Sequence, residues 1–496
     1  MNIKSTLFKA AAVLLALLTV APTMSACSSG ADTAKTSDTT ASVTAAATDA
    51  VSEEDTRIYP DLPEENYNGY TFNVLHWDRS DWPTRACVDI YAETETGDTI
   101  NDAVYRRNMA VMEKYDFEIT LQKEQPGDLT TLAKKNVQTG SDAYDLIIQR
   151  CIEGAAIIQE NYYLPLNEVP NIDLDQPWYD QNARETLEIK GKLFIAASDL
   201  TIEDKNATAA IAFNKQMAAD NNLEDMYRLV NDGKWTIEKM EAMYKGVARD
   251  LDGNSEMNEE DLYGFLGGKD VGMSLFLGSG AHFMGVDNDG YVIPTMINDR
   301  NVQVAQYVYE ICTNEDIFYH HHNMGTDDTQ YEQLFTNGHG LYFWMRLDNV
   351  LSMRASEVAF GILPIPKYDE AQETYLCNVS PWTTGLLAIP TTATDPSRNG
   401  LIIEALSAES KYVLQPAYYE IALKEKQTRD EESKEMLELI FNNRVFDIAE
   451  FYRIGTLSDV ILEMGSAKSF DMASRYEKLS KATIKAIDKF MGNFES

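Results

Sequence analysis

The fold is decided by a stretch that begins Tyr70-Thr71-Phe72-Asn73-Val74-Leu75. Apolar and polar residues alternate in it, as they do in a β-strand with one buried face. Asp98 or Thr99 then caps a predicted helix, and a second helix is predicted between strands at residues 117–121 and 144–148. Strands that alternate with helices indicate an α/β fold with a mostly parallel sheet. In such sheets the ligand binds beyond the carboxyl ends of the strands.

The chain as a whole is long and acidic. It has 496 residues, of which 44% are hydrophobic, and a formal charge of −37. This length exceeds one ordinary core and favours two large lobes. The negative charge repels phosphate backbones and anionic lipid headgroups, so it argues against nucleic-acid binding and against direct binding to a membrane surface. The composition predicts a soluble folded protein and says nothing about its ligand.

The beginning of the chain predicts export from the cytoplasm. Lys4 and Lys9 precede an apolar run at residues 10–20, and small residues then lead to Cys27. A basic start, a short apolar run and small residues before a cut site are typical of a secretory signal. The run has about half of the ~20 residues that a membrane-spanning helix needs. We therefore expect residues 1–26 to be a signal peptide.

Cys27 indicates more than export, because the residues before it resemble a bacterial lipobox, in which the cysteine becomes the lipidated first residue. Met24 departs from the Leu or Val that is usual at its position. Residues 28–54 are mostly Ser, Thr, Ala and Asp, and they cannot bury enough surface to fold. We expect a lipid on Cys27 and a flexible tether over residues 27–65, which holds the folded part at the extracellular face of the cell membrane. A plain secreted protein is the alternative.

The other cysteines and the histidines give no metal motif. Cys87, Cys151, Cys312 and Cys377 lie far apart without CxxC spacing. They allow three disulfide pairings, or they stay as buried free thiols, since so large a protein does not need disulfide bonds. The consecutive histidines at residues 320–322 cannot all face one metal from a regular element, so they predict a surface loop.

Residues 250–261 carry the most specific local motif. Oxygen-bearing side chains stand at positions 1, 3, 5, 7, 9 and 12 of this twelve-residue loop, a spacing that surrounds one calcium ion. The candidate ligands are Asp250, Asp252, Asn254, Glu256 and Asp261. Ser255 replaces the usual glycine, so the loop resembles the dockerin type more than a sensor EF-hand. We expect a structural calcium ion, and the alternative is a solvated acidic turn.

Four stretches, in order, resemble one protein family. They are Gly191-Lys192-Leu193-Phe194 through Phe213-Asn214-Lys215, then Trp235-Thr236-Ile237-Glu238-Lys239-Met240, then Phe335-Thr336-Asn337-Gly338-His339-Gly340-Leu341, and finally residues 358–367. Together, and behind a lipobox, they resemble the extracellular solute-binding proteins of ABC importers, in the carbohydrate-binding group related to maltodextrin-binding protein. The resemblance covers roughly residues 69–407, and the tail beyond Ser410 matches only as generic helix.

The resemblance implies a two-lobed α/β fold with a hinge, a ligand cleft between the lobes and closure on binding. It also implies a monomeric receptor without catalytic activity, which delivers its solute to the permease subunits of an ABC importer. Lobe one would comprise residues 66–200 and 366–408, and lobe two would comprise residues 201–365 and 409–496. The crossing segments would lie near residues 199–204, 363–367 and 408–411.

A sugar ligand would use residues at the predicted strand ends. Sugar rings have apolar faces that stack on aromatic side chains, and their hydroxyl groups need planar donors and acceptors. The candidate ligand-binding residues are Trp77, Asp78, Arg150, Trp178, Asp199, Trp344, Arg346 and Trp382. The alternative is core packing for each tryptophan and an ion pair at a strand end for each charged residue.

Two other functions stay open at this point. A secreted, calcium-stabilised glycoside hydrolase would need two carboxylates about 5–10 Å apart across a cleft. The abundant Asp and Glu allow such a pair, but no nucleophile motif supports it, and the sequence has no GxSxG, HExxH or P-loop motif. The second alternative is a receptor for peptides or other polar solutes on the same fold.

Overall fold

The structure is a computed structural model that describes residues 57–80, 89–314, 318–319, 329–353, 356–424, 431–467 and 469–494. The predicted signal peptide, Cys27, the tether up to residue 56, Cys87 and the histidines at 320–322 lie outside the described residues. The described part of residues 57–496 belongs to one compact unit. Among the helices described, none combines the length and the apolar character that a membrane span requires.

The strands fall into two main sheets and two short pairs. In chain order they are β1 (Tyr70–Trp77), β2 (Phe117–Glu124), β3 (Leu146–Arg150), β4 (Ala209–Asn214), β5 (Tyr263–Leu266), β6 (Met284–Val286), β7 (Val292–Pro294), β8 (Phe318–Tyr319), β9 (Gly340–Arg346), β10 (Phe360–Leu363), β11 (Cys377–Asn378), β12 (Gly385–Ala388) and β13 (Arg444–Val445).

Helices cover the sheets and build most of the C-terminal part. They are α1 (Thr99–Tyr115), α2 (Pro126–Gln138), α3 (Cys151–Ile158), α4 (Gln181–Leu187), α5 (Glu203–Asn206), α6 (Lys215–Asp220), α7 (Met226–Asn231), α8 (Ile237–Tyr244), α9 (Asp270–Gly278), α10 (Asp299–Cys312), α11 (Thr329–Thr336), α12 (Asn349–Met353), α13 (Pro396–Lys424), α14 (Glu431–Asn442), α15 (Ile448–Phe451), α16 (Asp459–Leu462) and α17 (Met472–Met491).

The first sheet confirms the α/β pattern predicted from the sequence. Its strand order is β12-β3-β1-β2, and β1 is parallel to both of its neighbours. Helices α1 and α2 connect the parallel strands, and the side chain of Asp98 caps α1 by accepting a hydrogen bond from the Asn101 backbone N–H. The edge strand β12 is antiparallel to β3, and its first residue, Gly385, lies opposite Arg150, the last residue of β3. The carboxyl ends of β1 and β3 therefore lie at the edge of the sheet where β12 begins.

The second sheet departs from the prediction of mostly parallel pairing. Its order is β10-β4-β9-β5-β8, and β4 is antiparallel to both of its neighbours, whereas β9, β5 and β8 are parallel. The antiparallel pairing arises because β4 starts where β9 ends, so Ala209 lies opposite Arg346. Parallel strands need a helical crossover, and α9, α10 and α11 supply it between β5, β8 and β9.

The apolar residues of the strands are buried in the core, and the described cysteines are buried there too. Trp235, which precedes α8, is fully buried, and its indole N–H donates to the Pro364 carbonyl at 2.9 Å. Cys151, Cys312 and Cys377 are buried free thiols, and burial raises the pKa of each. For these three residues the prediction of free thiols is confirmed.

The C-terminal tail is largely helical, as predicted, but it is not a separate layer. The short strand β13, which the sequence did not predict, pairs in parallel with β11 and joins the tail to the segment before β12. Helix α13 packs against α1 and passes without a break through residues 408–411, where the third crossing is predicted. If the chain crosses between the lobes at residues 408–411, it does so within a helix. The lobe boundaries remain a prediction.

Candidate functional site

The crossing segment at residues 199–208 joins the loops of both sheets. After β9, the backbone N–H of Leu347 donates to the Thr208 carbonyl at 3.0 Å, and that of Asp348 donates to the Asn206 carbonyl at 3.1 Å. Before β12, the N–H of Ser380 donates to the Ala207 carbonyl at 3.0 Å. The strand ends of both sheets thus meet at this segment, close to where a first crossing is predicted.

Glu203, on the single-turn helix α5, is the polar centre of the crossing. Its Oε2 accepts hydrogen bonds from the Trp77 indole at 2.9 Å and from the Gly385 backbone N–H at 2.6 Å. Its Oε1 lies 3.2 Å from His76 Nε2 and 3.4 Å from Arg79 Nη1. All four partners come from the first sheet and its loops, so this carboxylate fixes the crossing segment to that sheet.

The charges in this cluster stabilise one another. Burial alone would raise the pKa of Glu203, but Arg79 and His76 outweigh it and lower that pKa to about 2. Burial would likewise lower the pKa of His76, but Glu203 outweighs it and raises that pKa. The carboxylate is therefore ionised and the imidazolium is favoured, so the cluster is a buried ion network.

His76, Asp89 and Glu203 could be taken for a metal site, because their ligand atoms all lie within 4.8 Å of one another. However, Glu203 already accepts two N–H bonds, and the Arg79 guanidinium faces its other oxygen. Asp89 accepts the Ile202 backbone N–H at 2.9 Å. A divalent cation would have to displace these donors beside a fixed positive charge, so the donor set fits an ion network better than a metal.

Trp77 and Arg150 lie together at the ends of β1 and β3, but Trp77 presents no open face. Its ring is buried and contacts two guanidinium groups, with Arg79 at 5.0 Å and Arg150 at 5.7 Å from the ring centroid. Arg150 Nε also donates to Glu153 Oε2 at 2.7 Å. Asp78 is partly exposed, and hydrogen bonds from Ser80 lower its pKa.

Trp344 and Arg346 form the corresponding cluster at the end of β9. The Trp344 ring is buried, its indole N–H donates to Ser274 Oγ at 2.9 Å, and the Arg346 guanidinium lies 5.6 Å from its centroid. Arg346 also lies 3.7 Å from a carboxylate oxygen of Asp270 and 3.7 Å from one of Asp348. Asp270, at the start of α9, is partly exposed and extends this charge cluster towards solvent.

Trp382 is the most exposed of the described tryptophans, with 38% of its surface accessible. It precedes β12, and the Arg453 guanidinium lies 5.4 Å from its ring centroid. On α15, burial and the neighbouring charge of Asp447 raise the pKa of Glu450 to about 8, which favours its protonated form near neutral pH, but this side chain is buried. Trp382 is thus the predicted aromatic residue that can receive a ligand in this conformation.

Asp199 contributes to a second polar network on the crossing segment. It pairs with Lys205 at 3.0 Å and with Lys411 at 3.9 Å. Arg444, from β13, pairs with Asp204 at 2.6 Å and with Asp180, the residue that caps α4. These groups line a polar cavity of about 290 Å³. The network connects the C-terminal tail to the crossing segment and to helix α4.

Trp178 lies next to this network, because its backbone carbonyl accepts the Asp199 N–H at 2.8 Å, but its side chain turns into the core. It is buried, and its indole N–H donates to Glu404 on α13 at 3.1 Å, while the neighbouring Tyr179 hydroxyl donates to the same carboxylate at 2.7 Å. Burial raises the pKa of Glu404 to about 7. Trp178 therefore packs in the core here and offers no face for stacking.

The predicted calcium loop has a compact geometry. Carboxylate oxygens of Asp250, Asp252 and Asp261 lie within 4.8 Å of one another, whereas Glu256 is exposed and lies outside this group. Asp261 accepts the backbone N–H groups of residues 251 and 258 at 2.8 Å each, and Asn254 accepts that of residue 256 at 2.6 Å. Three clustered carboxylates suit a hard cation such as calcium.

Several residues of the site were not predicted from the sequence. Glu203 has a local signal, because it stands in a polar run, residues 203–206, directly before the apolar strand β4. Arg444, Glu450 and Arg453 have no such signal, because they belong to a tail that looks like generic helix. Long-range contacts, among them the pairing of β13 with β11 and the Arg444–Asp204 ion pair, bring that tail to the crossing.

Comparison with known proteins supports the architecture. No family model matches the chain, and no curated protein matches it. Among solved structures, the chain is similar to a sugar transporter from Rhizobium etli in an open conformation, with 14% identity, a TM-score of 0.56, and coverage of 86% of this chain and 100% of the other.

Two further structures are similar over the same extent. One is the maltose/maltodextrin-binding domain from Bdellovibrio bacteriovorus bound to maltotriose, with 12% identity, a TM-score of 0.52, and coverage of 86% and 100%. The other is an ABC transporter solute-binding protein from Agrobacterium radiobacter in complex with ribitol, with 14% identity, a TM-score of 0.51 and the same coverage. The chain therefore has the two-lobed α/β fold of the solute-binding proteins of ABC transporters.

Proposed function

We propose that this protein is an extracellular receptor that binds a sugar or oligosaccharide and delivers it to the permease of an ABC importer, without catalysis. The observation that carries the proposal is the meeting of the strand ends of both sheets at the crossing segment, with the half-exposed Trp382 beside them. In α/β sheets ligands bind at the carboxyl ends of the strands. Two similar structures hold maltotriose and ribitol, which are polyhydroxylated ligands.

The chemistry of the site fits such a ligand. The Trp382 ring offers an apolar face for a sugar ring, and Arg453 and Asp270 offer a charged donor and acceptor for hydroxyl groups. A mixture of one stacking face and planar polar groups is what a sugar needs, whereas a peptide would also require fixed partners for its backbone.

A screen of ligands tests the substrate class. We expect oligosaccharides to raise the melting temperature of the protein, because a ligand that binds only the folded state stabilises it by mass action. Amino acids and short peptides at the same concentrations are expected to leave it unchanged. A shift with peptides alone would instead favour the receptor for peptides or other polar solutes.

Membrane attachment is a separate part of the proposal. We propose that Cys27 carries the lipid that holds this acidic receptor beside the importer. A Cys27→Ser variant is expected to fold and to bind sugar with unchanged affinity, but to be released into the medium. Retention of that variant in the membrane fraction would contradict the lipid anchor.

We also propose that residues 250–261 bind one structural calcium ion, held by Asp250, Asp252 and Asp261, with Asn254 as a further oxygen ligand. The ion would offset the repulsion among the three clustered carboxylates. We expect EGTA to lower the melting temperature by a few degrees and added calcium to restore it. A double variant, Asp250→Asn with Asp252→Asn, should not respond to EGTA; an unchanged melting temperature in the parent protein would contradict the site.

A further inference from the structure

Helix α17 carries a row of positive charge on the surface of a strongly acidic protein. Within residues 475–489 there are five basic and two acidic side chains, whereas the whole chain has a charge of −37. Four of the basic residues are exposed lysines, at spacings of three, four and four positions, which places them on one face of the helix. We call Lys478, Lys481, Lys485 and Lys489 the lysine stripe.

The lysine stripe is long, straight and free of strong ion pairing. It extends over twelve residues, from Lys478 to Lys489, or about 16 Å of helix. None of the four ammonium groups forms an ion pair with a carboxylate among the described residues. The fifth basic residue, Arg475, differs, because it lies 3.8 Å from Glu463 and packs over the Phe470 ring. Lys481, Lys485 and Lys489 therefore present their charge to solvent, whereas Lys478 borders a cavity that acidic side chains also line.

The surface beside the lysine stripe has exposed aliphatic side chains among acidic ones, which are Glu477 and Asp488 on the helix and Asp289 in the β6–β7 turn. Ile484 lies to one side of the stripe and is 52% exposed. Helix α17 packs against β7, and the Tyr291 hydroxyl donates to Asp488 at 2.8 Å, so the β6–β7 turn lies one helical turn from Ile484. Val286 and Ile293 on this hairpin are also exposed. Lysines next to exposed aliphatic side chains are typical of helices that lie on a membrane surface.

We propose that the lysine stripe is a contact surface for anionic lipid headgroups, which orients the receptor on the membrane. This inference rests on the proposed lipid tether at Cys27. Each lysine near an anionic surface changes partitioning about fivefold, so four of them give a weak and reversible contact. A tethered protein needs no more than that, because the tether raises its effective concentration at the surface to the millimolar range.

The net charge of the chain does not prevent such a contact. At physiological salt the screening length is about 8 Å, so acidic groups on other faces are largely screened when the helix touches the surface. Lysine suits a diffuse anionic surface, whereas recognition of single phosphates usually relies on the bidentate guanidinium of arginine. Apart from Lys478, which borders a cavity, the stripe lies along an exposed helix face, and this favours a planar partner over an acidic peptide.

Vesicle binding tests this proposal. The chain from residue 27 to residue 496, with Cys27→Ser to remove the anchor, is sedimented with vesicles of phosphatidylglycerol and phosphatidylcholine and with pure phosphatidylcholine. The stripe variant replaces its four lysines by glutamine. The matched control has the same charge change on exposed lysines of other elements and carries Lys114→Gln, Lys135→Gln, Lys234→Gln and Lys245→Gln. Sugar affinity is measured on both variants to confirm their folding independently of the membrane.

We expect binding to the anionic vesicles only, a loss of about tenfold or more in the stripe variant, little change in the control, and release at high salt. A single Lys485→Glu variant should weaken binding in the same direction, which keeps the test valid if the quadruple variant does not fold. Equal losses in the stripe and control variants would overturn the proposal. So would binding to polyglutamate without binding to anionic vesicles, which would indicate an acidic protein as the partner.

Discussion

Replacing Glu203 by alanine is expected to lower the free energy of unfolding by about 3–5 kcal/mol, the usual cost of removing one partner from a buried ion network. The substitution leaves His76 and Arg79 buried without their common carboxylate, and it leaves the Trp77 indole and the Gly385 N–H without an acceptor. Denaturant unfolding of the two proteins measures this difference. This expected loss of stability is larger than the loss expected when an exposed ion pair is removed.

The pH dependence of this difference has a defined sign. The pKa of Glu203 falls from its ordinary 4.5 to about 2, so its contribution to stability is present above 4.5 and is lost as the pH falls towards 2. The pKa of His76 is raised above 6.5, so its contribution is present below 6.5 and is lost as the pH rises through its folded pKa. The difference in stability between parent and variant should therefore be largest between about pH 4.5 and 6.5.

An exposed ion pair provides the control for the Glu203 prediction. Glu224 pairs with Lys239 on the surface, and its carboxylate is mostly exposed. Glu224→Ala should cost less than about 1 kcal/mol at every pH, because solvent screens such pairs. If Glu203→Ala cost no more than Glu224→Ala, the crossing segment would not be held by the buried network described above.

Replacing Trp382 by alanine is expected to weaken sugar binding by about 30-fold, which corresponds to about 2 kcal/mol. The ring is half exposed beside Arg453, and its removal takes away the stacking face without leaving a large cavity in the core. The melting temperature without ligand should change little. Titration calorimetry with the best sugar from the ligand screen measures the affinity.

Two further tryptophan variants distinguish the loss of a stacking face for the sugar from a loss of stability. Trp382→Phe keeps an aromatic face and should lose much less affinity than Trp382→Ala. Trp178→Phe removes the hydrogen bond to Glu404 within the core, and we expect it to lower stability while leaving sugar affinity unchanged. The sequence suggested equal roles for Trp178 and Trp382, so a loss of affinity in Trp178→Phe with none in Trp382→Ala would contradict the site.

Local patterns were sufficient to predict the first strands and helices of the chain. The alternation at residues 70–75 and the cap at Asp98 predicted β1 and α1, because both depend on neighbouring residues only. The mixed second sheet was not predictable in this way. Its antiparallel pairs depend on the point where β4 leaves the crossing and β9 returns to it, and an apolar strand has the same composition in either direction.

The site was only partly predictable for a related reason. Strand-end positions identified Trp77, Arg150, Trp344 and Arg346, but composition cannot tell a tryptophan that stacks on a ligand from one that packs against arginines. Exposure separates Trp382 from the others, and exposure is a property of the tertiary structure. Glu203 was hidden because its partners lie more than 100 residues away along the chain.

The most direct test of the central claim is a single titration that follows both binding and turnover. The protein is titrated with the best oligosaccharide from the ligand screen while tryptophan fluorescence is recorded, and the same mixture is then analysed for shortened sugars. A receptor predicts a saturable change in fluorescence, reduced in Trp382→Ala, and recovery of the intact sugar after prolonged incubation. Formation of shorter products would contradict the account and would favour a glycoside hydrolase on this fold.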